Sequence, residues 1–97
     1  MTPTPESVTL QSMVTRSAQV MVQDVGGEAV LLDLASEQYF GLDPVGSRVW
    51  ALFGESGHLG TVLATLCAEF DADPALIQRD LLALTQDLAQ TGLVSVA

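Results

Sequence analysis

The side chains that could do chemistry are few in this chain of 97 residues, which has one cysteine, Cys67, and one histidine, His58. Nucleophilic catalysis needs a thiol or hydroxyl with a base in reach. His58 stands in a glycine-flanked loop, whereas Cys67 falls on the apolar stripe of a predicted helix, where a small thiol packs well. A metal site needs several ligands at suitable spacing, and Asp71 and Asp73 are better explained by a turn and a helix cap. Nothing singles out a carboxylate pair for acid–base catalysis, so we expect no enzyme activity, no metal and no cofactor.

The charge of the chain limits its partners. Twelve acidic residues stand against three arginines and no lysine, which gives a net charge of −9 and a pI near 4.1. Because nucleic-acid binding depends on neutralising several phosphates with cations, we expect no nucleic-acid partner. The same acidic field would attract a neutral or basic peptide. An acidic surface also keeps a small protein in solution, and the pattern leaves this simpler explanation open.

Length and hydropathy predict a single domain. An apolar content of 48% suffices for one modest core. No apolar run approaches the roughly 20 residues that span a bilayer, and the first residues have neither the positive charge nor the apolar segment of a secretory signal. A single cysteine gives no sign of an oxidising compartment, so we expect a cytoplasmic protein without a membrane partner. Two prolines among polar residues predict a flexible tail over residues 1–9, followed by one domain over residues 10–97.

The first half of the chain has the pattern of an antiparallel sheet. Two valine-rich runs, residues 20–25 and 28–34, flank Gly26 and Gly27. This arrangement predicts a hairpin with a primed turn, in which both central residues need positive φ. A third strand is predicted for residues 38–42, where apolar and small residues alternate.

The second half of the chain switches to helical periodicity. Asp43-Pro44 and Asp73-Pro74 each combine an N-cap with proline at the first helical position, and Gly92 is the expected residue after a helix end. The predicted helices cover residues 44–54, 60–70 and 74–91. On the third helix the core stripe is predicted as Ile77, Leu81, Leu84 and Leu88.

Together these elements predict an α+β domain, a three-stranded antiparallel sheet followed by three helices. With the hairpin, the second and third helices give a winged helix-turn-helix-like layout. Two stretches, residues 10–14 and 93–96, are left open. Residues 10–14 are a first strand or the approach to one, and residues 93–96 are apolar enough for a short closing strand or a packed tail.

Two surfaces could bind another chain. The third strand is an edge by chain order, and an edge strand exposes unpaired N–H and C=O groups that accept an added strand. Its side chains alternate, with Phe40 and Leu42 on one face and Tyr39 and Gly41 on the other. One flank of the third helix, a quarter turn from the core stripe, carries Leu76, Asp80, Ala83 and Asp87. The pattern leaves open whether this flank is an ordinary solvated helix edge or one wall of a groove whose other wall is the third strand.

Short motifs give the chain a family resemblance. They are Phe40-Gly41-Leu42-Asp43 at the end of the third strand, residues 46–50 in the first helix, Arg79-Asp80-Leu81 in the third helix, and Gly92-Leu93 after it. Over residues 19–95 the sequence resembles the PqqD-like family. It is most similar to the stand-alone recognition elements of lasso-peptide pathways, which act on ribosomally made, post-translationally modified peptides (RiPPs). Asp43 stands where asparagine is common in that family, which is a conservative difference for an N-cap.

The resemblance implies a domain that looks like a winged helix-turn-helix but binds the leader segment of a precursor peptide. The leader adds to the third strand, lies against the third helix, and is presented to a modifying enzyme, in a lasso pathway the leader peptidase that acts before a cyclase. The peptide-contacting residues would be Tyr39, Phe40, Gly41 and Leu42 on the strand and, chosen from the helical wheel, Leu76, Asp80, Ala83 and Asp87 on the helix.

Three alternatives stay open at the level of sequence. A peptide chaperone for a radical-SAM maturase, in a quinone-cofactor or thioether-peptide pathway, has the same fold and cleft and differs only in its enzyme partner. A winged-helix DNA-binding protein is disfavoured because the third helix carries Arg79 alone among acidic residues. A structural dimerisation module would use the same exposed strand edge.

Overall fold

The computed structural model describes residues 8–97 and places five strands and three helices within them. In chain order these are β1 (Val14–Arg16), β2 (Val20–Val25), β3 (Glu28–Asp33), β4 (Gln38–Gly41), α1 (Pro44–Glu55), α2 (Leu59–Glu69), α3 (Pro74–Gln90) and β5 (Val94–Val96). The tail predicted for residues 1–9 lies outside the described residues, except for Val8 and Thr9. Val8 is buried against the core, and the Thr9 N–H donates to Ser12 Oγ at 3.0 Å.

Strands β2, β3 and β4 form an antiparallel sheet in that spatial order, which confirms the predicted three-stranded sheet. Gly26 and Gly27 connect β2 to β3 with φ angles of 64° and 87°. Such positive values suit glycine, and a primed hairpin turn requires them at both positions. In the turn from β3 to β4, Glu37 has a φ of 60°, and the buried Asp33 carboxylate accepts two hydrogen bonds from turn residues. In the spatial order of the sheet, β3 is the central strand and β4 forms one margin.

A second, two-stranded sheet includes part of the two stretches that the sequence left open: Val14 begins β1, residues 10–13 precede it, and residues 94–96 form β5. β1 pairs antiparallel with β5, with Val14 opposite Val96. Just beyond them, Met13 and Ala97 exchange both main-chain hydrogen bonds, at 2.9 and 2.8 Å. The C-terminal strand is thereby paired with the start of the domain and not with β4.

The helices begin at the predicted caps. Asp43 and Asp73 each accept a backbone N–H of the first turn, at 2.7 and 3.0 Å, and proline follows each of them. Gly92, with a φ of 81°, ends the chain's third helix as expected. The periodicity did not indicate the cap of α2, where His58 Nδ1 accepts the Thr61 N–H at 3.3 Å.

One hydrophobic core joins the inner face of the larger sheet to the helices. β3 contributes Leu31, α1 contributes Val49 and α2 contributes Leu66, and each is at most 1% exposed. Burying a side chain of this size contributes about 1.5–3 kcal/mol. None of the helices in the described part of the chain has the length and hydropathy needed to cross a membrane.

Helix α3 packs on this core with the predicted stripe and with one further residue, Thr85. Leu81 and Leu88 are buried as predicted, but Ile77 and Leu84 are only partly buried. Thr85 is fully buried. Burial does not leave its hydroxyl unpaired, because the hydroxyl donates to the Leu81 carbonyl one turn earlier, at 2.8 Å. The buried face therefore also includes Thr85, and Leu84, which packs against the edge of the core, lies beside β4.

Candidate functional site

A cleft of about 210 Å³ opens between β4, the start of α1 and the middle of α3. β4 and α1 follow each other closely in the chain, but α3 is distant from both, so the cleft exists only in the folded protein. Apolar side chains form most of it. The lining residues are Phe40, Gly41, Leu42, Asp43, Val45, Gly46, Val49, Asp80, Leu81 and Leu84.

A tight corner between β4 and α1 shapes one side of the cleft. Leu42 is buried, and Asp43 caps α1 directly after it. A Cβ atom at Gly46 would lie 3.2 Å from Asp43 Oδ1 and 3.3 Å from Leu42 Cδ2, closer than ordinary van der Waals contact. Ser47 Oγ accepts the Ala29 N–H at 2.7 Å and ties the first turn of α1 to β3. Glycine at position 46 therefore lets the helix begin close against the strand.

The outer edge of β4 is unpaired within residues 8–97. The Leu42 N–H donates to the Ala29 carbonyl of β3 at 2.8 Å. Along an antiparallel strand, residues whose main-chain groups face one neighbour alternate with residues whose groups face the opposite side. The N–H and C=O groups of Tyr39 and Gly41 therefore point across the open edge. These four groups are the ones that an added strand would use.

The side chains of β4 point to two different faces. Phe40 lines the cleft, as do the neighbouring Gly41 and Leu42. Tyr39 lies on the opposite face of the sheet and is 75% exposed. Of the four strand residues predicted to contact a peptide, three thus line the cleft and Tyr39 does not.

The predicted flank of α3 lies only partly in the cleft. Asp80 lines it, whereas Leu76, Ala83 and Asp87 are not among the lining residues. All four are solvent-exposed, as the helical wheel indicated. Leu84, which was predicted to belong to the core, faces β4 near Asp80. The sequence located the helix of the cleft but not the rotation of that helix.

Several lining residues were not predicted as site residues. Asp43 and Gly46 had been explained only as a cap and a motif position. One signal could have found the first turn of α1: only two residues separate β4 from that helix, so its first turn must lie beside the end of the strand. Val45 in that turn is an apolar side chain that remains 41% exposed. The six residues missed are Asp43, Val45, Gly46, Val49, Leu81 and Leu84.

The two charged side chains that line the cleft, Asp43 and Asp80, are both acidic. Asp80 is largely exposed, and its Oδ1 lies 3.5 Å from Arg79 Nε. Arg48 is not a lining residue. Its guanidinium donates to the Glu69 carboxylate at 2.8 and 2.6 Å, which raises the pKa of Arg48 and lowers the pKa of Glu69. A ligand in the cleft therefore meets apolar walls and negative charge.

No three or more potential metal ligands cluster in the part of the chain that the structure describes. Cys67 is partly buried on α2, and His58 is used as the cap of that helix. What the cleft offers a ligand is main-chain hydrogen bonds along β4, apolar contacts and two carboxylates.

Residues 28–94 match the family described as Coenzyme PQQ synthesis protein D (PqqD). The chain belongs to the PqqD family. The matched stretch begins with β3 and runs through α3, so it contains every residue that lines the cleft. The family predicted from the short motifs is confirmed.

Two solved structures are similar to this PqqD-family chain. The first, described as "TbiB1 in Complex with the TbiA(beta) Leader Peptide", is 36% identical with a TM-score of 0.77, and the match covers 84% of this chain and 94% of that one. The second, "Lasso peptide synthetase B1 complexed with the leader peptide", is 21% identical with a TM-score of 0.69 and covers 84% and 96%. The second likeness concerns the fold alone. No match was found among curated proteins.

Proposed function

We propose that this protein binds the leader segment of a ribosomally made precursor peptide as a strand added to β4. The observation that carries the proposal is the open edge of β4 directly beside an apolar cleft. The solved structure of TbiB1, which is 36% identical to this chain, is a complex with a leader peptide. The proposed ligand is therefore an extended peptide and not a small molecule.

Main-chain groups would supply affinity that does not depend on the peptide's sequence. The outward N–H and C=O groups of Tyr39 and Gly41 offer up to four hydrogen bonds, each with a net value of about 0.5–1.5 kcal/mol. Selectivity would come from the cleft, which receives alternate side chains of the added strand. Its lining by Val45 and Leu84 suits an apolar side chain.

Presenting the bound leader to a modifying enzyme is the second part of the proposal. Holding the precursor near that enzyme replaces a bimolecular search with a local one at high effective concentration. We assign the enzyme to a lasso-peptide pathway, where it is the leader peptidase, and the protein itself has no catalytic part in the reaction. The leader-bound relative supports the leader-binding part of this proposal, and the lasso pathway and the cytoplasm are assigned from the sequence pattern and resemblance.

One alternative has an observation in its favour. The family takes its description from a coenzyme PQQ synthesis protein. This description fits a peptide chaperone for a radical-SAM maturase. The two functions share the cleft and differ in the enzyme that follows. Leader cleavage by a lasso-pathway leader peptidase, measured with and without this protein, separates them, because a maturase chaperone would leave the cleavage rate unchanged.

A fluorescence-anisotropy titration with a labelled TbiA(beta) leader peptide tests the binding proposal. We expect saturable binding that Gly41→Pro weakens, because proline removes an outward N–H donor. Gly41→Ala is the matched control: a Cβ at this position meets no atom within 4 Å, and φ is not positive, so affinity should be retained. Absence of binding by the unaltered protein, or equal binding by all three proteins, would contradict strand addition at β4.

The acidic side chains suggest a finer contact. We propose that Asp80, which lines the cleft, attracts a Lys or Arg of the leader, and that exposed Asp87 does not. Asp80→Asn should weaken binding about twofold to fivefold at low salt, because exposed ion pairs contribute only about 0.2–1 kcal/mol. Asp87→Asn is the control. Affinity that is unchanged in Asp80→Asn at low ionic strength would remove this contact from the proposal.

A further inference from the structure

The outer face of the larger sheet, which points away from the helices, carries a row of apolar side chains. Met21, Leu32 and Tyr39 align across β2, β3 and β4. Met21 is 57% exposed and Tyr39 is 75% exposed, while Leu32 in the central strand is partly covered. No element within residues 8–97 packs on this row. The cleft described above uses the other face of the same strand, so the row has no part in it.

Strand geometry connects this row to the open edge of β4. Successive side chains of a strand point to opposite faces of the sheet. A strand that adds beside β4, at a spacing of about 4.8 Å, must therefore place every second side chain on the outer face. The nearest groups on that face are the Tyr39 ring and, one strand further, Leu32.

We propose that the peptide added to β4 is recognised on both faces of the sheet. One set of alternate side chains enters the cleft, and the interleaved set includes an apolar residue that packs on Tyr39 and Leu32. This inference rests on the proposed strand addition and deepens it, because it assigns a second subsite to a surface outside the cleft.

Charge supports a single peptide as the occupant of both subsites. Glu37 borders the outer subsite together with Leu32, Leu34 and Tyr39. The cleft on the other face is likewise bordered by carboxylates. Neither subsite is lined by a basic side chain in the described part of the chain. Both therefore suit the same kind of ligand, a neutral or basic peptide with apolar residues at successive positions.

Substitution of Tyr39 tests the outer subsite with the labelled TbiA(beta) leader peptide as the probe. We expect Tyr39→Ser to weaken binding about threefold to tenfold, because the added strand loses its contact with the aromatic ring. Tyr39→Phe keeps the ring and should retain affinity. Met21→Ser is the matched control, because Met21 is in the same row on the same face but about 10 Å away across two strand spacings.

An aspartate scan of the peptide provides an independent readout. Sensitive positions should fall into two interleaved sets, and the outward set should lose its sensitivity in Tyr39→Ser while the inward set keeps it. A coupling of this kind in a double-mutant cycle reports direct contact. Thermal unfolding of each variant checks the fold, which should be unaffected because Tyr39 and Met21 are both exposed.

The outcomes separate this inference from the proposed function. Binding that is weakened by Gly41→Pro but unchanged in Tyr39→Ser would mean that the peptide is read on one face only, and would overturn the inference alone. Equal losses in Tyr39→Ser and Met21→Ser would also overturn it, as would a dimer in sedimentation experiments that Tyr39→Ser dissociates without changing peptide affinity. Failure of the unaltered protein to bind counts against strand addition itself.

Discussion

The two margins of the larger sheet, β2 and β4, are both unpaired in the described residues, yet they differ in what lies beside them. β2 is longer, with six residues against four, and its Met21, Val22 and Val25 are exposed. β4 lies beside the start of α1 and the middle of α3, which form the cleft with it. None of the cleft's lining residues comes from β2.

Because of this difference, β2 can only pair with an extended chain, whereas β4 can also discriminate between peptide sequences. Unpaired main-chain groups accept almost any extended chain, and this is why exposed edges favour aggregation. Strand length and exposed apolar area alone would favour β2 as the edge that accepts an added strand. Only β4 offers the same peptide both main-chain partners and a shaped apolar cleft, so selective binding is expected there.

Proline substitution at each margin gives the largest expected effect. On β2 the Leu34 N–H donates to the Gln19 carbonyl, so the alternation of main-chain groups places the Val22 N–H on the outer edge. Gly41→Pro should weaken leader-peptide binding roughly tenfold or more, because a hydrogen bond worth about 1 kcal/mol is lost and the ring obstructs the approach. Val22→Pro removes the equivalent donor from β2 and should leave affinity unchanged. A loss of affinity only in Val22→Pro, with both variants folded by circular dichroism, would move the binding edge to β2.

Removing apolar surface from the cleft should have the next largest effect. Leu84→Ala takes away a lining side chain and should weaken binding about fivefold to twentyfold, by the value of the apolar area it removes from the complex. Leu76→Ala, on the same helix but outside the cleft and 46% exposed, is the control and should bind normally. Titrations well below the unfolding temperature keep the accompanying loss of stability out of the comparison. Equal affinity for the two variants would argue that the peptide does not enter the cleft.

The two Asp-Pro helix starts provide a matched pair with a smaller effect. Asp43→Ala and Asp73→Ala each remove an N-cap, and each should lower the free energy of unfolding by about 1 kcal/mol in urea denaturation. Only Asp43 borders the cleft, so only Asp43→Ala should also weaken peptide binding, by roughly twofold to threefold, as a looser corner costs a few tenths of a kcal/mol. Weaker binding by both variants would show a response to stability and not to the position of the cap.

The smallest expected effect is at the exposed pair of Arg48 and Glu69, neither of which lines the cleft. Hydrogen bonds from the guanidinium lower the pKa of Glu69 below its ordinary value of 4.5. A depressed folded-state pKa stabilises the protein above the unfolded-state pKa, and this small contribution is lost as the pH falls through the folded-state pKa. NMR titration of the Glu69 carboxyl should show a midpoint below 4.5 that returns to it in Arg48→Gln. Peptide affinity near neutral pH should be the same for Arg48→Gln and the unaltered protein, and any change would connect this pair to the cleft.

Much of the fold could be predicted because it depends on turn and cap signals that span only a few residues. Gly26-Gly27 between valine-rich runs, and proline after Asp43 and after Asp73, each depend on backbone preferences within a few residues. The family resemblance also follows from contiguous motifs. The pairing of β1 with β5 could not be predicted in the same way, because it joins the two ends of the domain and its strands have only three residues each.

The sequence predicted which strand and which helix form the candidate site, but not most of the side chains that line it. The sequence indicated β4 and α3, and alternation along the strand correctly separated Phe40 from Tyr39. On α3 the prediction placed Leu84 in the core, because a leucine stripe is the ordinary sign of a buried face. The structure places Thr85 there, since a threonine can satisfy its hydroxyl within its own helix. Leu84 still packs against the core but also lines the cleft, which the stripe did not indicate.

By itself the sequence determined the order of β2, β3, β4 and the three helices, the caps of α1 and α3, the hairpin turn, the acidic charge and the family, because each depends on residue type and short spacing. The tertiary structure alone decided which edge of the sheet stays open, how α3 is rotated and which side chains face the cleft. These depend on packing among segments that are distant in the chain, where the burial of a whole helix face against the core outweighs the preference of any one residue.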